Sequence, residues 1–175
     1  MLKKENAEVC YAMKGEVENL KFIHKILEDK QDRLWIILEN GKLYRADKKG
    51  KLTKQIPGAE TLEAKDIRQD NKGNIYLATK NDGIYLLKAG STIFTKIAGI
   101  GNLPIDNIYI SRDQRLFIGC DGMGIFVYNP VTGFLQNNPL FSREVNLAKC
   151  KITSIIEDFT GNIWVSMLQK GVFMQ

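Results

Sequence analysis

Ile155-Ile-Glu-Asp-Phe-Thr-Gly-Asn-Ile-Trp164-Val has three counterparts upstream. They are Ile26-Leu-Glu-Asp-Lys-Gln-Asp-Arg-Leu-Trp35-Ile, Ile67-Arg-Gln-Asp-Asn-Lys-Gly-Asn-Ile-Tyr76-Leu and Ile108-Tyr-Ile-Ser-Arg-Asp-Gln-Arg-Leu-Phe117-Ile. The aromatic anchors Trp35, Tyr76, Phe117 and Trp164 are spaced by 41, 41 and 47 residues. Nine residues before each anchor stands Ile26, Ile67, Ile108 or Ile155, and nine after it Tyr44, Tyr85, Phe126 or Phe173. Two offsets kept in four copies mark a structural repeat, which decides the fold before any local assignment does.

Around each anchor lies a short run of β-branched and aromatic residues without helical spacing: Leu34–Leu38, Ile75–Leu77, Leu116–Ile118 and Ile163–Val165. Successive positions are apolar, so both faces of the sheet must be covered. Polar turns precede each run, and Gly-containing turns follow it, at Asn40-Gly41, Asp82-Gly83, Gly122-Met-Gly124 and Lys170-Gly171. A third run and a fourth complete the unit, the fourth expected at Lys51–Ile56, Thr92–Ile97 and Gly133–Gln136. Four antiparallel strands per repeat, apolar on both faces, describe a propeller blade. A sandwich strand would keep one polar face, and a β-helix would need shorter coils. The expectation is an all-β chain, a partial β-propeller of four-stranded antiparallel blades. Blades fall at 23–57, 64–98 and 105–138, with an incomplete one at 152–175 and the end of a preceding one at 1–22.

Asp158-Phe-Thr-Gly161-Asn-Ile-Trp164-Val-Ser with Gly171-Val-Phe173, and Asp70-Asn-Lys-Gly73-Asn-Ile-Tyr76-Leu-Ala-Thr79 with Gly83-Ile-Tyr85, resemble the two-component regulator propeller repeat. That pattern runs roughly D-x-x-G-x-[IL]-W-[IV]-[GS]-T, then G-[LIV]-[YF]. Asp32 and Gln114 stand where it has Gly, Ser111 where it has Asp, and Cys120 and Met167 where it has Thr. The resemblance implies the sensor region of a bacterial hybrid histidine kinase, periplasmic, glycan-responsive and without catalytic activity of its own. Any kinase activity would reside in other parts of such a protein.

Composition agrees with a globular domain: 175 residues, 44% hydrophobic, 26% charged, 4 Pro. No apolar run approaches the roughly 18 residues of a membrane helix, so direct insertion is not expected, and the polar start Met1–Asn6 shows no signal peptide. The net charge is +5, and the basic run Lys42, Arg45, Lys48, Lys49, Lys51, Lys54 has only Tyr44 beside it, which suits a solvated hairpin rather than nucleic acid. Cys10, Cys120 and Cys150 fit neither a zinc spacing nor a disulfide framework. His24 is the single histidine, and no nucleophile motif accompanies it. Catalytic residues, metal ligands and cofactors are therefore not expected.

Binding is expected where loops converge. The turns between second and third strands and the connections between blades share one end of a propeller, where Lys80, Asn81, Asp82, Asp121, Met123, Gln169 and Lys170 would meet Asn102, Asp106 and Asn107 from a connection. Mixed amide, acid and ammonium groups suit the hydroxyls of a small carbohydrate. Asp29, Asp70 and Asp158 lie at the opposite end, where turns one blade apart are expected to be too distant to share an ion. Their expected role is to cap their own turns. Self-association through open terminal blades is expected from their uncovered apolar faces. A propeller enzyme of lyase or lactonase type and a protein-interaction scaffold are the alternatives.

Overall fold

The computed structural model describes residues 22–47, 51–53, 56–137 and 150–175. The readings for 1–21, for the turn at 48–50 and for most of the 137–151 connection lie outside them. Fifteen strands follow in order: β1 Ile23–Glu28, β2 Leu34–Leu38, β3 Leu43–Ala46, β4 Leu52–Thr53, β5 Ala64–Gln69, β6 Ile75–Thr79, β7 Ile84–Leu87 and β8 Thr95–Lys96. β9 Ile105–Ile110, β10 Leu116–Cys120, β11 Gly124–Tyr128, β12 Leu135–Asn137, β13 Ile152–Glu157, β14 Ile163–Met167 and β15 Gly171–Met174 complete them. They form four antiparallel meanders, β1-β2-β3-β4, β5-β6-β7-β8, β9-β10-β11-β12 and β13-β14-β15. The first strands β1, β5, β9 and β13 are neighbours in series, so they line the axis and the later strands fan outward. This is a partial β-propeller.

Register explains the repeat. In the second blade Ile67, Leu77 and Tyr85 stand in one row across the sheet, and Arg68, Tyr76 and Leu86 in the next, on the other face. The Ile67 row packs on the first blade's Trp35, Ile37 and Leu43, while Tyr76 and Ile84 pack on the third blade's Ile108 and Ile118. Phe117 and Val127 meet Ile155 and Val165 in the same way. Each joint therefore sets an anchor face against the isoleucine face of the following blade. Trp35 and Phe117 are completely buried and Tyr76 nearly so.

Apolar residues are uncovered at both ends of the described blades. Ile26 is 54% exposed although its three counterparts are buried, while Ile36 and Tyr44 in its row are covered. On the last blade the anchor face has no following blade among the described residues. Ile156, Val172 and Met174 are exposed there, and Trp164 is half-buried.

Two outer strands depart from expectation: β8 has two residues, and β12 runs Leu135–Asn137 rather than Gly133–Gln136. Phe94 leaves its own sheet because its N–H donates to the Pro57 carbonyl at 2.9 Å, and its ring meets Trp35 edge-on at 5.8 Å. The turn departures also have a backbone reading. Asp32, Gly73, Gln114 and Gly161 all adopt positive φ (54°, 85°, 65° and 95°), so the repeat's glycine position is left-handed in every blade. Asp32 and Gln114 accept that conformation at some steric cost.

Burial sets an expected mutational contrast. Trp35→Ala should lower the unfolding free energy by about 3–5 kcal/mol. Trp164→Ala, at the matched position but only partly buried, should cost less; urea unfolding followed by circular dichroism measures both.

Candidate functional site

The aspartates of the turns after β1, β5 and β13 do more than cap. Asp29 Oδ1 accepts the N–H of Gln31 (2.9 Å) and Arg33 (3.1 Å), and Oδ2 accepts Trp35 Nε1 at 2.7 Å. Asp158 repeats this with Thr160, Asn162 and Trp164 Nε1 at 2.8 Å. Asp70 caps Lys72 and Asn74. Burial, with the Asp70 carboxylate alongside, pushes the Tyr76 hydroxyl up to about 12. In the third blade the anchor is Phe117, which has no donor, and Ser111 replaces the aspartate. The departure from the repeat pattern thus follows the loss of the ring donor. These carboxylates are occupied by their own turns. Single side chains link neighbouring blades at this end: Asn71 N–H donates to Gln114 Oε1 at 2.9 Å and Arg112 N–H to Glu157 Oε2 at 2.8 Å.

At the axis, each first strand carries a β-bulge, at His24, Lys65, Asp106 and Thr153. A bulge re-aims the side chains around it, and here it sets a polar residue at each joint. Asp66, 2% exposed, joins three blades. Its Oδ1 meets Lys25 Nζ at 3.1 Å, and its Oδ2 accepts Ile108 N–H at 3.0 Å. One blade on, Asn107 Nδ2 donates to the Ile152 carbonyl at 2.6 Å. Asn107 lies over Gly119, where a Cβ would stand 2.8 Å from Asn107 Oδ1 and from Ile152 Cγ2. Glycine at this strand position makes the joint possible. Neither Asp66 nor Lys25 was expected as a site residue; the bulge that places them has no signature in the repeat.

At the opposite end the expected binding residues divide into separate groups. Lys151 holds Asp106 Oδ2 at 3.1 Å and Asp121 Oδ2 at 3.2 Å, and the hydrogen bond to Asp106 is the main cause of its raised pKa. Lys96 joins Asp82 to Asn102. That bond and one from Tyr85 hold Asp82 below the usual carboxylate range. Lys80 Nζ pairs with Glu63 Oε1 at 2.8 Å. Asp106 and Asn107 sit inside β9, not on a connection, because the bulge opens the strand there. Met123 is 40% exposed, and Gln169 takes a left-handed φ of 59° in the last blade's turn beside Lys170. Around Lys80, Asn81 and Asp82 a pocket of about 250 Å³ opens, lined also by Thr61, Leu62 and Glu63. Lys151, Lys96 and Glu63 were missed because only the folded chain sets connections beside turns. Cys120 is fully buried, and burial pushes its thiol up to about 12; His24 is exposed on β1.

No protein-family model and no curated protein matches the chain. Solved structures do. The extracellular domain of BT3049 of B. thetaiotaomicron, described as a hybrid two-component system, superposes with a TM-score of 0.67 at 20% identity, covering 86% of this chain and 19% of that one. The extracellular domain of BT4673, a further B. thetaiotaomicron hybrid two-component system, gives 0.64 at 19% identity, covering 87% and 24%. Virginiamycin B lyase from Staphylococcus aureus gives 0.62 at 14%, covering 87% and 55%. At these identities the likeness shows the fold. The chain spans about a fifth of the BT3049 chain.

Two outcomes follow for the polar joints. Burial pushes Asp29 up, but the hydrogen bonds from Trp35, Arg33 and Gln31 outweigh it and hold its carboxyl below 3.8. A depressed carboxyl stabilises the fold above the unfolded-state value, and that contribution is lost as pH falls through the folded value. Urea midpoints measured from pH 5 down to pH 2 should fall, and Asp29→Asn should flatten that slope. Asp66→Ala leaves the Ile108 N–H without its acceptor and should cost about 1–3 kcal/mol in the same assay.

Proposed function

We propose that this chain is a ligand-sensing segment of an extracytoplasmic propeller in two-component signalling, without catalysis of its own. The carrying observation is the pocket at Lys80, Asn81 and Asp82. It collects an ammonium, an amide, carboxylates and the Thr61 hydroxyl on rigid turns, a set that suits the vicinal hydroxyls of a carbohydrate. The likeness to extracellular domains of two-component systems supports the sensing role. The Lys80–Glu63 pair ties the turn after β6 to the connection from the first blade. A sugar that replaces this pair would favour one setting of two neighbouring blades, which is how differential affinity becomes a signal. No helix among the described residues is long and apolar enough to cross a membrane.

A lyase-type enzyme is the second reading, favoured by the likeness to virginiamycin B lyase. Among the described residues no group of three or more His, Cys, Asp or Glu side chains is placed to hold a metal ion. A stoichiometric divalent cation in the purified protein would favour this reading over the sensor.

Thermal unfolding against a panel of neutral and acidic oligosaccharides tests the proposal. A ligand at ~100 times its Kd adds about 2.7 kcal/mol, which for a chain of this size is roughly 5–10 °C. Asn81→Ala with Lys80→Ala should abolish the shift and leave the unliganded midpoint within about 2 °C, both being exposed. A panel without any shift, or a shift that survives the double substitution, counts against the site.

A further inference from the structure

The joint between the second and third blades holds a second cavity, on the outer flank near the turns that follow β5, β7 and β11. It measures about 570 Å³. The matching groove between the first and second blades, lined at equivalent places by Gln31, Arg33, Gly73, Ala89 and Gly90, measures about 220 Å³. The repeat explains the difference. In the first blade two guanidinium groups lie over the anchor, Arg33 at 5.5 Å and Arg45 at 5.7 Å from the Trp35 ring. Arg33 stands two residues before its anchor, and Arg45 stands opposite it on β3. At those two positions the second blade has Asn74 and, opposite Tyr76 on β7, Leu86. Two long cationic covers are thus replaced by two short side chains, and the groove between blades stays open.

The lining states what would fill it. Leu86, Ile97, Tyr128, Pro130 and Val131 form an apolar wall, and Val131 is 85% exposed. Most of the polar groups on the rim are already engaged. Asp70 caps its turn, Asn74 bridges Asp70 and the Ala89 N–H, and Gln114 accepts from Asn71. Lys96 is held by Asp82 and Asn102. Lys72 and Lys88 line the groove and are exposed, and neither ammonium has an ion pair among the described residues. Two uncommitted cations beside an apolar wall complement an anion with an apolar body.

We propose that the groove between the second and third blades binds a small organic anion of the aryl-carboxylate class. The ring lies against Leu86, Ile97 and Tyr128, and the carboxylate is met by Lys72 and Lys88. The site is separate from the pocket at Lys80, Asn81 and Asp82, so failure of either reading leaves the other standing.

Isothermal titration of the whole chain with 1-naphthoate, and with the uncharged 1-naphthalenemethanol, tests the assignment. The expected result is one saturable site for naphthoate and at least tenfold weaker binding of the alcohol. Lys72→Ala with Lys88→Ala should bring naphthoate down to the level of the alcohol. Asn74→Arg with Leu86→Arg restores the pair of guanidinium groups seen over Trp35 and should abolish binding of both compounds, with thermal unfolding showing that this variant still folds. The proposal is overturned by absence of saturable heat, by equal affinity for acid and alcohol, or by naphthoate binding that persists in a folded Asn74→Arg/Leu86→Arg variant. Should that variant unfold, the lysine pair decides: unchanged affinity there overturns the assignment equally.

Discussion

A blade of this protein cannot bury either of its own faces. Its sheet is apolar on both sides, so each anchor face needs the isoleucine face of the next blade, and each isoleucine face needs the anchor before it. Trp35 against Ile67, Tyr76 against Ile108 and Phe117 against Ile155 are the same contact made three times. Stability in such an array is a sum over neighbouring interfaces, and the terminal units are the ones left incomplete. Trp35, with a following blade against it, is buried, whereas Ile156, Val172 and Met174, with none among the described residues, are exposed.

Polar groups make the stacking specific. A ring alone would pack in several rotations, but the indole N–H of Trp35 or Trp164 is fixed by the aspartate that also shapes the preceding turn. One carboxylate thereby couples turn geometry to core packing. At the axis Asp66 takes the N–H of Ile108 and the ammonium of Lys25, which ties three consecutive blades together where the strands are closest. The loop end of the propeller lies apart from these two polar layers. There the lysines 80, 96 and 151 each link a turn to a connection or to an axial strand. The groove beside Tyr76 shows the same economy: two side chains differ at matched positions of a repeated scaffold, and the joint there holds a cavity of about 570 Å³ where its counterpart holds about 220 Å³.

Much of this was readable in one dimension. The matched isoleucine and aromatic offsets carry strand type, blade order and the packing partners, because a repeat forces equivalent residues into equivalent places. Even the Ser111 departure is intelligible beside Phe117, once the aspartate is known to serve an anchor with a donor. The exposure of Ile26 was not readable, since it depends on what covers a terminal face rather than on the residue. Nor was the placement of Asp106 and Asn107 inside β9, because a bulge inserts one residue into a pattern whose period otherwise holds.

Local chemistry and periodicity therefore settle the sheets, their turns and the order of the blades: strand propensity, alternation and turn capping act over a few residues and need no distant partner. The joints, the pockets and the ion groups belong to the folded chain. Lys25 meets Asp66 across 41 residues, and Lys151 meets Asp106 across 45. Such contacts arise only when successive blades rotate about a common axis, a geometry that fixes distances between side chains no stretch of sequence holds together.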